Sequence, residues 1–532
     1  MIVIIKRLTL MAAFLLIASL FGDALFKDAL AQAPATAQLS AQEKRGKQIY
    51  LRATSSSGKP ITAYLGDPPI EVPASAMTCA GCHGLDGQGK PEGGVVPSNV
   101  TWESLAKPYQ VVTASGRNHP RYTERAIEIA LTRGLDPGGN QLGTAMPRYD
   151  MSPEDLADLI AYLKRVGSDF DPGISPSSVR IGTFIPSEGA MTEAGEAVAA
   201  LLSAYFDEVN SQGGVYNRKI ELRLARVPKD PAAQVERFIK DERPFALAAS
   251  FIAGSEKELI PLVETEETPL IAPMTLMPET GFPVNRRIFY LLAGLNEQSR
   301  ALVHFAKQRA QGDGGFAIVA PRNPLSRALV ADIEDESKKL GITPRRKIEY
   351  TVFEGASVAK ELSASRVETI FFLGSSIESK ALLDEAEKLG WSFNLVMPGA
   401  LAGRELFDAP KRFEKRIFLS FPTLPSDQTK LTLLELIALA ERHQLSSKHL
   451  VTMMSAFSAA KLLVEGLKLS GRDLSREKLI TALEGFYKFE TGLLPPITYG
   501  PNRRIGCLGA YVVAVDIENK GFTPASDWLA LD

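Results

Sequence analysis

The residues with the most specific chemistry stand together at positions 79–83. Cys79 and Cys82 are separated by two residues, and His83 follows directly. Two thiols at this spacing can add to the two vinyl groups of one haem, and the adjacent imidazole can bind its iron from one face. The pattern therefore predicts one covalently attached haem c with His83 as an axial ligand, a group that proteins use to transfer electrons.

A C-x-x-C pair has two other uses in proteins, as a dithiol redox site or as half of a zinc site. The chain contains three cysteines, so it offers no second pair. Because His83 is also in place, haem is favoured over both alternatives. The remaining cysteine, Cys507, is predicted to be a buried free thiol. Three histidines of the second half are predicted to be structural: His304, His443 and His449.

The N-terminus has the pattern of a targeting segment. Lys6 and Arg7 precede an apolar stretch at residues 8–20, and Ala29–Ala31 form an A-x-A cleavage site. We therefore expect a cleavable signal peptide at residues 1–31 and export to the periplasm. An uncleaved membrane anchor is the alternative, although charged residues interrupt the apolar run. We expect no later stretch to be long and apolar enough to span a bilayer.

Length and composition place the chain among ordinary globular proteins. The 532 residues suffice for about two to four domains. A hydrophobic fraction of 45% and a net charge of −2 are typical of this class. The charge gives no indication of binding to nucleic acid.

A helix that starts near residue 153 can be read from its residues. Ser152 can cap it, Pro153 suits its first turn, and four aliphatic side chains between residues 156 and 163 fall at helical spacing. Met146 lies in the loop just before this helix. Residues 55–60 and residues 66–69 are rich in glycine, proline and serine, which predicts loops.

Residues 39–167 resemble a single-haem class I cytochrome c, which implies a small all-α domain. The resemblance rests on residues 46–50, on residues 79–89 around the haem motif, and on residues 143–147. It implies that Gly46 and Tyr50 of the first helix pack against the last helix of the domain.

The same resemblance implies that Met146 is the sixth, distal ligand of the haem iron. A thioether opposite histidine raises the haem potential relative to two histidines, which suits an acceptor of electrons. Three alternatives stay open: Met146 is a core methionine, or His119 or Met151 is the sixth ligand.

Residues 168–178 are rich in proline and serine and are predicted to be a linker. From residue 179 onwards short apolar runs alternate with amphipathic helical stretches, which predicts parallel sheets covered by helices on both faces. The predicted strands are 179–185, 220–227, 246–250, 270–272, 316–320 and 369–373.

Residues 179–532 resemble the type 1 periplasmic solute-binding proteins, the branch that includes branched-chain amino acid receptors. The resemblance rests mainly on residues 181–189, residues 210–222 and residues 269–273. Asn217 stands at a turn where it must accept a positive φ, which asparagine tolerates best among non-glycine residues. The resemblance implies two α/β lobes that close over a small organic ligand.

By position in that fold, four residues are predicted to line the ligand cleft: Ser187, Glu188, Ser255 and Thr275. Met274 and Leu276 are bulky where amino acid receptors have small residues, and Glu256 follows Ser255. The sequence therefore favours a more apolar ligand than a free amino acid, or a vestigial cleft.

Three functions are compatible with this combination. The favoured one is an exported electron-transfer protein whose haem accepts electrons from a periplasmic redox partner, such as a quinoprotein alcohol dehydrogenase, while the second domain binds a small molecule. The alternatives are the substrate-binding component of an ABC importer, with its permease as partner, and a redox-linked ligand sensor. No nucleophile–base set or phosphate loop is apparent in the second half, so the chain is predicted to be a carrier and binder rather than an enzyme.

Overall fold

The computed structural model describes residues 39–89, 94–113, 116–279, 281–310, 315–365 and 367–531. The chain divides into two compact units, unit 1 ending at Phe170 and unit 2 beginning at Asp171. The predicted signal peptide at residues 1–31 lies outside the described residues.

Unit 1 is built mainly from helices, with two small sheets beside them. In chain order its elements are α1 (Ala41–Arg52), β1 (Thr62–Leu65), β2 (Ile70–Pro73), α2 (Cys79–His83), α3 (Trp102–Leu105), β3 (Val111–Val112), β4 (Asn118–His119), α4 (Glu124–Arg133), β5 (Arg148–Asp150) and α5 (Pro153–Leu163).

The expectation of an all-α unit is corrected by a three-stranded antiparallel sheet of order β2-β1-β5. Strands β1 and β2 form a hairpin whose turn is the predicted loop at residues 66–69, and β1 lies between the two stretches that were predicted as loop. Ala63 of β1 is fully buried and pairs with Tyr149 of β5. This pairing joins segments more than eighty residues apart, so local composition does not reveal it.

The first and last helices of unit 1 begin where the sequence predicts. Ser40 caps α1 in a capping box with Glu43, and Ser152 accepts a hydrogen bond from the Asp155 amide at 3.1 Å, with Pro153 in the first turn of α5. The two helices then cross in close contact. A Cβ at Gly46 would lie 1.9 Å from the Asp158 carbonyl oxygen, so only glycine fits there.

The first part of unit 2 alternates strands with helices. Its elements are β6 (Ser178–Pro186), α6 (Thr192–Ser211), β7 (Lys219–Val227), α7 (Ala232–Glu242), β8 (Ala246–Ala248), α8 (Glu256–Thr265), β9 (Leu270–Ile271), β10 (Ile288–Leu292), α9 (Leu295–Arg309), β11 (Phe316–Pro321), α10 (Pro324–Lys339), β12 (Pro344–Tyr350) and α11 (Gly355–Ala364).

The second part of unit 2 completes two sheets. Its elements are β13 (Thr369–Phe372), α12 (Ser376–Lys388), β14 (Asn394–Pro398), β15 (Ile417–Phe421), α13 (Lys430–Arg442), α14 (Leu450–Leu469), α15 (Arg476–Glu484), β16 (Ile505–Cys507), β17 (Gly509–Asp516), β18 (Gly521–Pro524) and β19 (Leu529–Ala530).

Two sheets define two lobes of unit 2. The lobe 1 sheet has the order β16-β10-β9-β8-β6-β7 and its paired strands are parallel. The lobe 2 sheet has the order β12-β11-β13-β14-β15-β17-β18, with β19 beside β17; its first five strands are parallel and the rest antiparallel. The chain passes between the lobes after β10, after β15 and after β16. The predicted two-lobed α/β fold is confirmed.

The turn before β7 has the geometry that the sequence predicts. Tyr216 and Asn217 both have positive φ, of 50° and 64°. Val215 and Arg218 exchange backbone hydrogen bonds of 2.9 and 3.0 Å across them. Two consecutive residues in this region form the tight reversal that leads α6 into the next strand.

Part of the predicted linker at residues 168–178 is structured in unit 2. Asp171 accepts a hydrogen bond from the Arg476 amide at 2.6 Å, and the Gly173 carbonyl accepts one from the Arg180 amide at 2.8 Å. Ile174 is buried. On the other side of Phe170, Asp169 forms an ion pair with Lys47 of α1 within unit 1. The Lys47 Nζ lies 2.7 Å from a carboxylate oxygen of Asp169.

One helix of the described residues, Ser447–Leu469, is long and apolar enough to cross a membrane by length and composition. The sequence-based expectation of no such stretch was therefore wrong. Two thirds of its most apolar 18-residue stretch is buried. Phe457 is fully inaccessible and contacts Tyr205 of α6, with ring centroids 5.2 Å apart. Its apolar character is accounted for by this packing.

Lobe 2 contains a buried carboxylate that should make its stability depend on pH. Glu336 accepts hydrogen bonds from three basic side chains, His304 at 2.8 Å, Lys339 at 3.0 Å and Arg300 at 3.1 Å. Burial alone would raise the pKa of this carboxyl, but the three donors lower it from 4.5 to about 2. The stabilisation is therefore complete above pH 4.5 and is lost as the pH falls towards 2.

We expect Glu336→Gln to lower the free energy of unfolding by about 2 kcal/mol at neutral pH, because the charged hydrogen bonds are weakened. Urea unfolding of the full-length protein between pH 7 and pH 2 checks this. The difference between wild type and variant should shrink at acidic pH. A constant difference would show that the carboxylate charge has no role.

Candidate functional site

The haem-attachment motif forms a short helix of its own, α2. Thr78 caps it by accepting a hydrogen bond from the Gly81 amide at 3.3 Å, and Gly84 ends it with a φ of 78°. Cys79 and Cys82 are one turn apart and both are partly exposed. The two thiols therefore stand on one helical turn, as attachment to a single porphyrin requires.

The His83 imidazole is held in one orientation and one tautomer. Its ring is buried, and Nδ1 lies 2.8 Å from the Ser98 carbonyl oxygen. Because a carbonyl only accepts, Nδ1 carries the proton and Nε2 keeps its lone pair for a metal. Burial lowers the pKa of His83, which keeps the imidazole neutral and able to act as a ligand.

The loop that presents the Ser98 carbonyl is tied to α2 by backbone contacts. The Gly89 amide donates to the His83 carbonyl at 2.8 Å, and the Val100 amide donates to the Gly87 carbonyl at 2.7 Å. Gly89 has a φ of +87°, and a Cβ there would lie 2.3 Å from the Pro97 carbonyl oxygen. The segment after the motif therefore brings the Ser98 carbonyl to the imidazole. Sequence reasoning missed this role, because a backbone acceptor leaves no signature in residue type.

Two buried tyrosines hold the ends of α2, and one of them was not predicted. Tyr50 of α1 donates to the Gly84 carbonyl at 2.7 Å, and Tyr149 of β5 donates to the Met77 carbonyl at 2.6 Å. Burial raises the pKa of both phenols, so the hydroxyls stay protonated. Tyr50 also contacts Tyr162 of α5, with ring centroids 5.5 Å apart. The predicted packing of the first helix on the last is confirmed.

The environment of Cys79 argues against a dithiol redox site. As a free thiol Cys79 is half-buried, and desolvation raises its pKa to about 12. A reactive dithiol needs a thiolate stabilised near neutral pH. Among the described residues no group of three metal-binding side chains occurs either. The three residues of the motif fit covalent haem c, for which Cys79 and Cys82 would be the attachment points and His83 would supply the imidazole.

The structure places two of the three candidate distal ligands in the core of unit 1. Met146 and Met151 are half-buried and pack against the same core as Cys79. The loop that carries Met146 is held by Arg148, whose guanidinium donates to the carbonyls of Met146 and Leu142. Met146 follows α4 and precedes β5, so it lies in an ordered loop before α5.

The third candidate, His119, has other contacts. Its ring is buried, Nδ1 lies 2.8 Å from the Pro120 carbonyl oxygen, and its ring centroid is 5.1 Å from that of Tyr122 in an edge-on arrangement. The Pro120 carbonyl fixes the Nδ1 proton of His119, as the Ser98 carbonyl does for His83, and the edge-on contact with Tyr122 holds the ring in place.

In lobe 1 the predicted cleft residues follow neighbouring parallel strands. Ser187 and Glu188 come after β6, Ser255 after β8 and Thr275 after β9, and these three strands are adjacent in the sheet. The structure therefore brings all four to one edge. That edge, at the carboxyl ends of the strands, is where open α/β sheets bind ligands.

Most of these side chains are bonded to the chain itself. The Ser187 hydroxyl donates to the Val227 carbonyl at 3.0 Å, and Glu188 accepts from the Lys229 amide at 3.0 Å. The Thr275 hydroxyl donates to Glu256 at 2.5 Å. Ser255 precedes α8 without a capping bond from its side chain. Glu256 was noted in the sequence only as a departure from the family, and its bond to Thr275 was not foreseen.

Each half of the chain matches the model of a known protein family. Residues 178–521 match the model of the periplasmic binding protein family, which is more than half of the chain. Residues 73–167 match the cytochrome c model. No curated protein sequence matches the chain.

Solved structures of low sequence identity share the fold of unit 2. A branched-chain amino acid ABC transporter protein from Thermus thermophilus with bound valine is 17% identical, with a TM-score of 0.52 over 67% of this chain and 97% of that one. A fatty acid ABC transporter substrate-binding protein from Thermomonospora curvata is 16% identical, with a TM-score of 0.51 over 68% and 95%. A periplasmic binding protein type 1 from Bordetella pertussis Tohama I is 13% identical, with a TM-score of 0.51 over 66% and 100%.

Proposed function

Since the chain belongs to the periplasmic binding protein family and carries a haem c cytochrome domain before it, we propose that it is a periplasmic electron-transfer protein. Its haem accepts electrons from a periplasmic dehydrogenase, for which a quinoprotein alcohol dehydrogenase is the first candidate. Unit 2 binds a small organic ligand at the carboxyl ends of its strands. Export by the signal peptide at residues 1–31 is part of this proposal.

The observation that carries the electron-transfer role is the fixed imidazole of His83. Haem c, when bound, supplies a one-electron redox centre. The chain has residues in position for it: Cys79 and Cys82 stand on one helical turn, and the Ser98 carbonyl oxygen lies 2.8 Å from Nδ1 of His83 and accepts its proton in a hydrogen bond. A proximal ligand held in this way needs little rearrangement when the charge at the iron changes.

We assign the distal position to Met146. It precedes α5 in an ordered loop and packs against the same core as Cys79. The Arg148 guanidinium fixes the backbone of that loop through the Met146 carbonyl. A methionine opposite histidine gives a higher potential than two histidines, which favours acceptance of electrons from a dehydrogenase.

The haem-loaded, oxidised full-length protein tests the proposal directly. We expect rapid reduction, followed at the haem α band, when periplasmic extract is added together with a dehydrogenase substrate such as an alcohol. Extract without substrate, and substrate without extract, are the controls. Reduction by a chemical reductant but by no extract–substrate pair would contradict the electron-acceptor role.

The second candidate function is delivery of a solute to an ABC permease, which the family of unit 2 supports. In that case ligand affinity would be the same for oxidised and reduced protein. A ligand affinity that changes with the haem redox state would instead support a redox-linked sensor, because the coupling between two sites is reciprocal. Calorimetric titration of both redox states distinguishes these outcomes.

A further inference from the structure

At the carboxyl ends of the strands in both lobes of unit 2, six side-chain hydroxyls donate hydrogen bonds to carboxylates of the chain. In lobe 1, the Thr275 hydroxyl after β9 donates to Glu256 at 2.5 Å. The other oxygen of Glu256 accepts from the Gly254 amide at 2.9 Å. One carboxylate thus accepts hydrogen bonds from both a hydroxyl and a backbone N–H at this edge.

The same pairing recurs at the strand ends of lobe 2. Tyr350, the last residue of β12, donates to Glu378 at 3.0 Å, and the Ser375 hydroxyl after β13 donates to the same carboxylate at 2.8 Å. The next residue, Ser376, donates to Glu405 at 2.7 Å. Burial, and then the neighbouring Glu378, raise the pKa of the Tyr350 phenol, so it remains a donor.

Another carboxylate that accepts from hydroxyls lies beside the end of β15. Asp427 accepts from the Thr423 hydroxyl at 2.9 Å and from the Tyr511 hydroxyl at 2.6 Å. Tyr511 belongs to β17, which runs antiparallel to β15 and pairs with Phe421, the last residue of that strand. Both hydroxyls therefore lie at the same edge as the pairs of β12 and β13.

These pairs determine which polar group a ligand can present. A hydroxyl has one proton to donate, and six strand-end hydroxyls give theirs to four carboxylates of the chain. A ligand carboxylate would find acceptors and like charge rather than donors, and like charges placed together are unfavourable. Three exposed cations also follow strands, Lys229, Arg322 and Arg404. All three are exposed to solvent, where water screens a charge and reduces its contribution.

Exposed aliphatic side chains stand among the same strand ends. Met191 follows the β6 loop and Leu276 follows β9 in lobe 1, and Ile377 follows β13 in lobe 2; they are 48%, 51% and 68% exposed. Exposed apolar side chains that flank a few polar groups are the usual composition of a small-molecule site. They suit a hydrocarbon chain.

We propose that the cleft of unit 2 binds a small aliphatic molecule whose polar group is an uncharged or cationic hydrogen-bond donor, an alcohol or an amine, and that it excludes carboxylates. This rests on the proposed ligand-binding function of unit 2 and names the chemical class of its ligand. The carboxylates Glu256 and Glu378 accept from the ligand head group through their remaining lone pairs.

Calorimetric titration of the haem-loaded full-length protein with n-butanol, n-butylamine, butyrate and leucine tests this. The first three share a four-carbon chain and differ in head group, and leucine adds the amino acid head. We expect the alcohol or the amine to bind at least about tenfold more tightly than butyrate and leucine, which corresponds to about 1.4 kcal/mol. Binding of the alcohol alone, or of the amine alone, identifies which head group is preferred.

Glu256→Gln supplies a variant that removes the charge: its amide oxygen can accept from the Gly254 amide while its amide nitrogen donates to the Thr275 hydroxyl, which frees the proton of that hydroxyl. We expect it to raise the affinity for butyrate relative to n-butanol about fivefold. Asp473→Asn removes a charge paired with Lys478, in the connection between α14 and α15, and should leave the ratio unchanged.

Two results would overturn the proposal. One is tighter binding of butyrate or leucine than of the alcohol and the amine, and the other is no binding of any of the four probes. Neither result bears on the haem-reduction assay, so failure of the ligand class can be distinguished from failure of the electron-transfer function.

Discussion

Replacement of Met146 by histidine should lower the midpoint potential of the haem on the order of 100 mV, because axial ligands set haem potentials over about 0.8 V and a second imidazole favours the ferric state. Redox titration of the full-length protein, followed by haem absorbance, measures the change. Met146→Ala should remove the sulfur ligand and the near-infrared band that a sulfur-bound ferric haem shows.

Met151→Ala and His119→Ala are the matched controls for this prediction. Met151 packs against the same core as Met146, and the His119 ring is bonded through Nδ1 to the Pro120 carbonyl. Both variants should keep the wild-type potential. If one of them shifts the potential and Met146→His does not, that residue is the distal ligand and our assignment is wrong.

Gly46→Ala should destabilise unit 1 by about 2 kcal/mol, since overpacking of a close contact costs on this order. A Cβ at Gly46 would lie 1.9 Å from the Asp158 carbonyl oxygen and 2.8 Å from Cβ of Tyr162. The backbone oxygen belongs to α5 and cannot rotate away, so α1 and α5 must separate. Because Tyr50 of α1 bonds the end of α2, that separation should also loosen the haem-attachment helix.

The direction of this effect distinguishes packing from helix propensity. Alanine is favoured over glycine within a helix by about 1 kcal/mol, so propensity alone predicts stabilisation. Denaturant unfolding of the full-length protein, followed at the haem Soret band, gives the sign. Gly143→Ala serves as the control, because nothing lies within 4 Å of its added Cβ. An increase in stability for Gly46→Ala would show that the helices do not pack as described.

Much of the fold was readable because its signals are local. The caps of α1 and α5 depend on residues three positions apart, such as Ser152 and Asp155. The buried strands β6 and β13 appear as short apolar runs, and the turn at Asn217 depends on one residue type at one position. Each of these follows from neighbouring residues and elementary sterics.

Elements that depend on distant partners were missed. Strand β12 has the polar sequence Pro-Arg-Arg-Lys-Ile-Glu-Tyr and lies at the edge of its sheet, where β11 is its one partner among the described strands. An edge strand exposed to water needs no apolar run, so its sequence does not distinguish it from a loop. The hairpin of β1 and β2 is likewise stabilised by β5, far along the chain.

The sequence by itself determined the chemistry of the haem site, because Cys79, Cys82 and His83 are adjacent and their spacing is sufficient to bind one porphyrin. It also determined the families of both halves. Only the tertiary structure decided that the Ser98 carbonyl orients His83 and that strand-end hydroxyls such as Thr275 are bonded to carboxylates. Those contacts join atoms that are distant in sequence or lie in the backbone, and burial and chain topology, rather than residue type, bring them together.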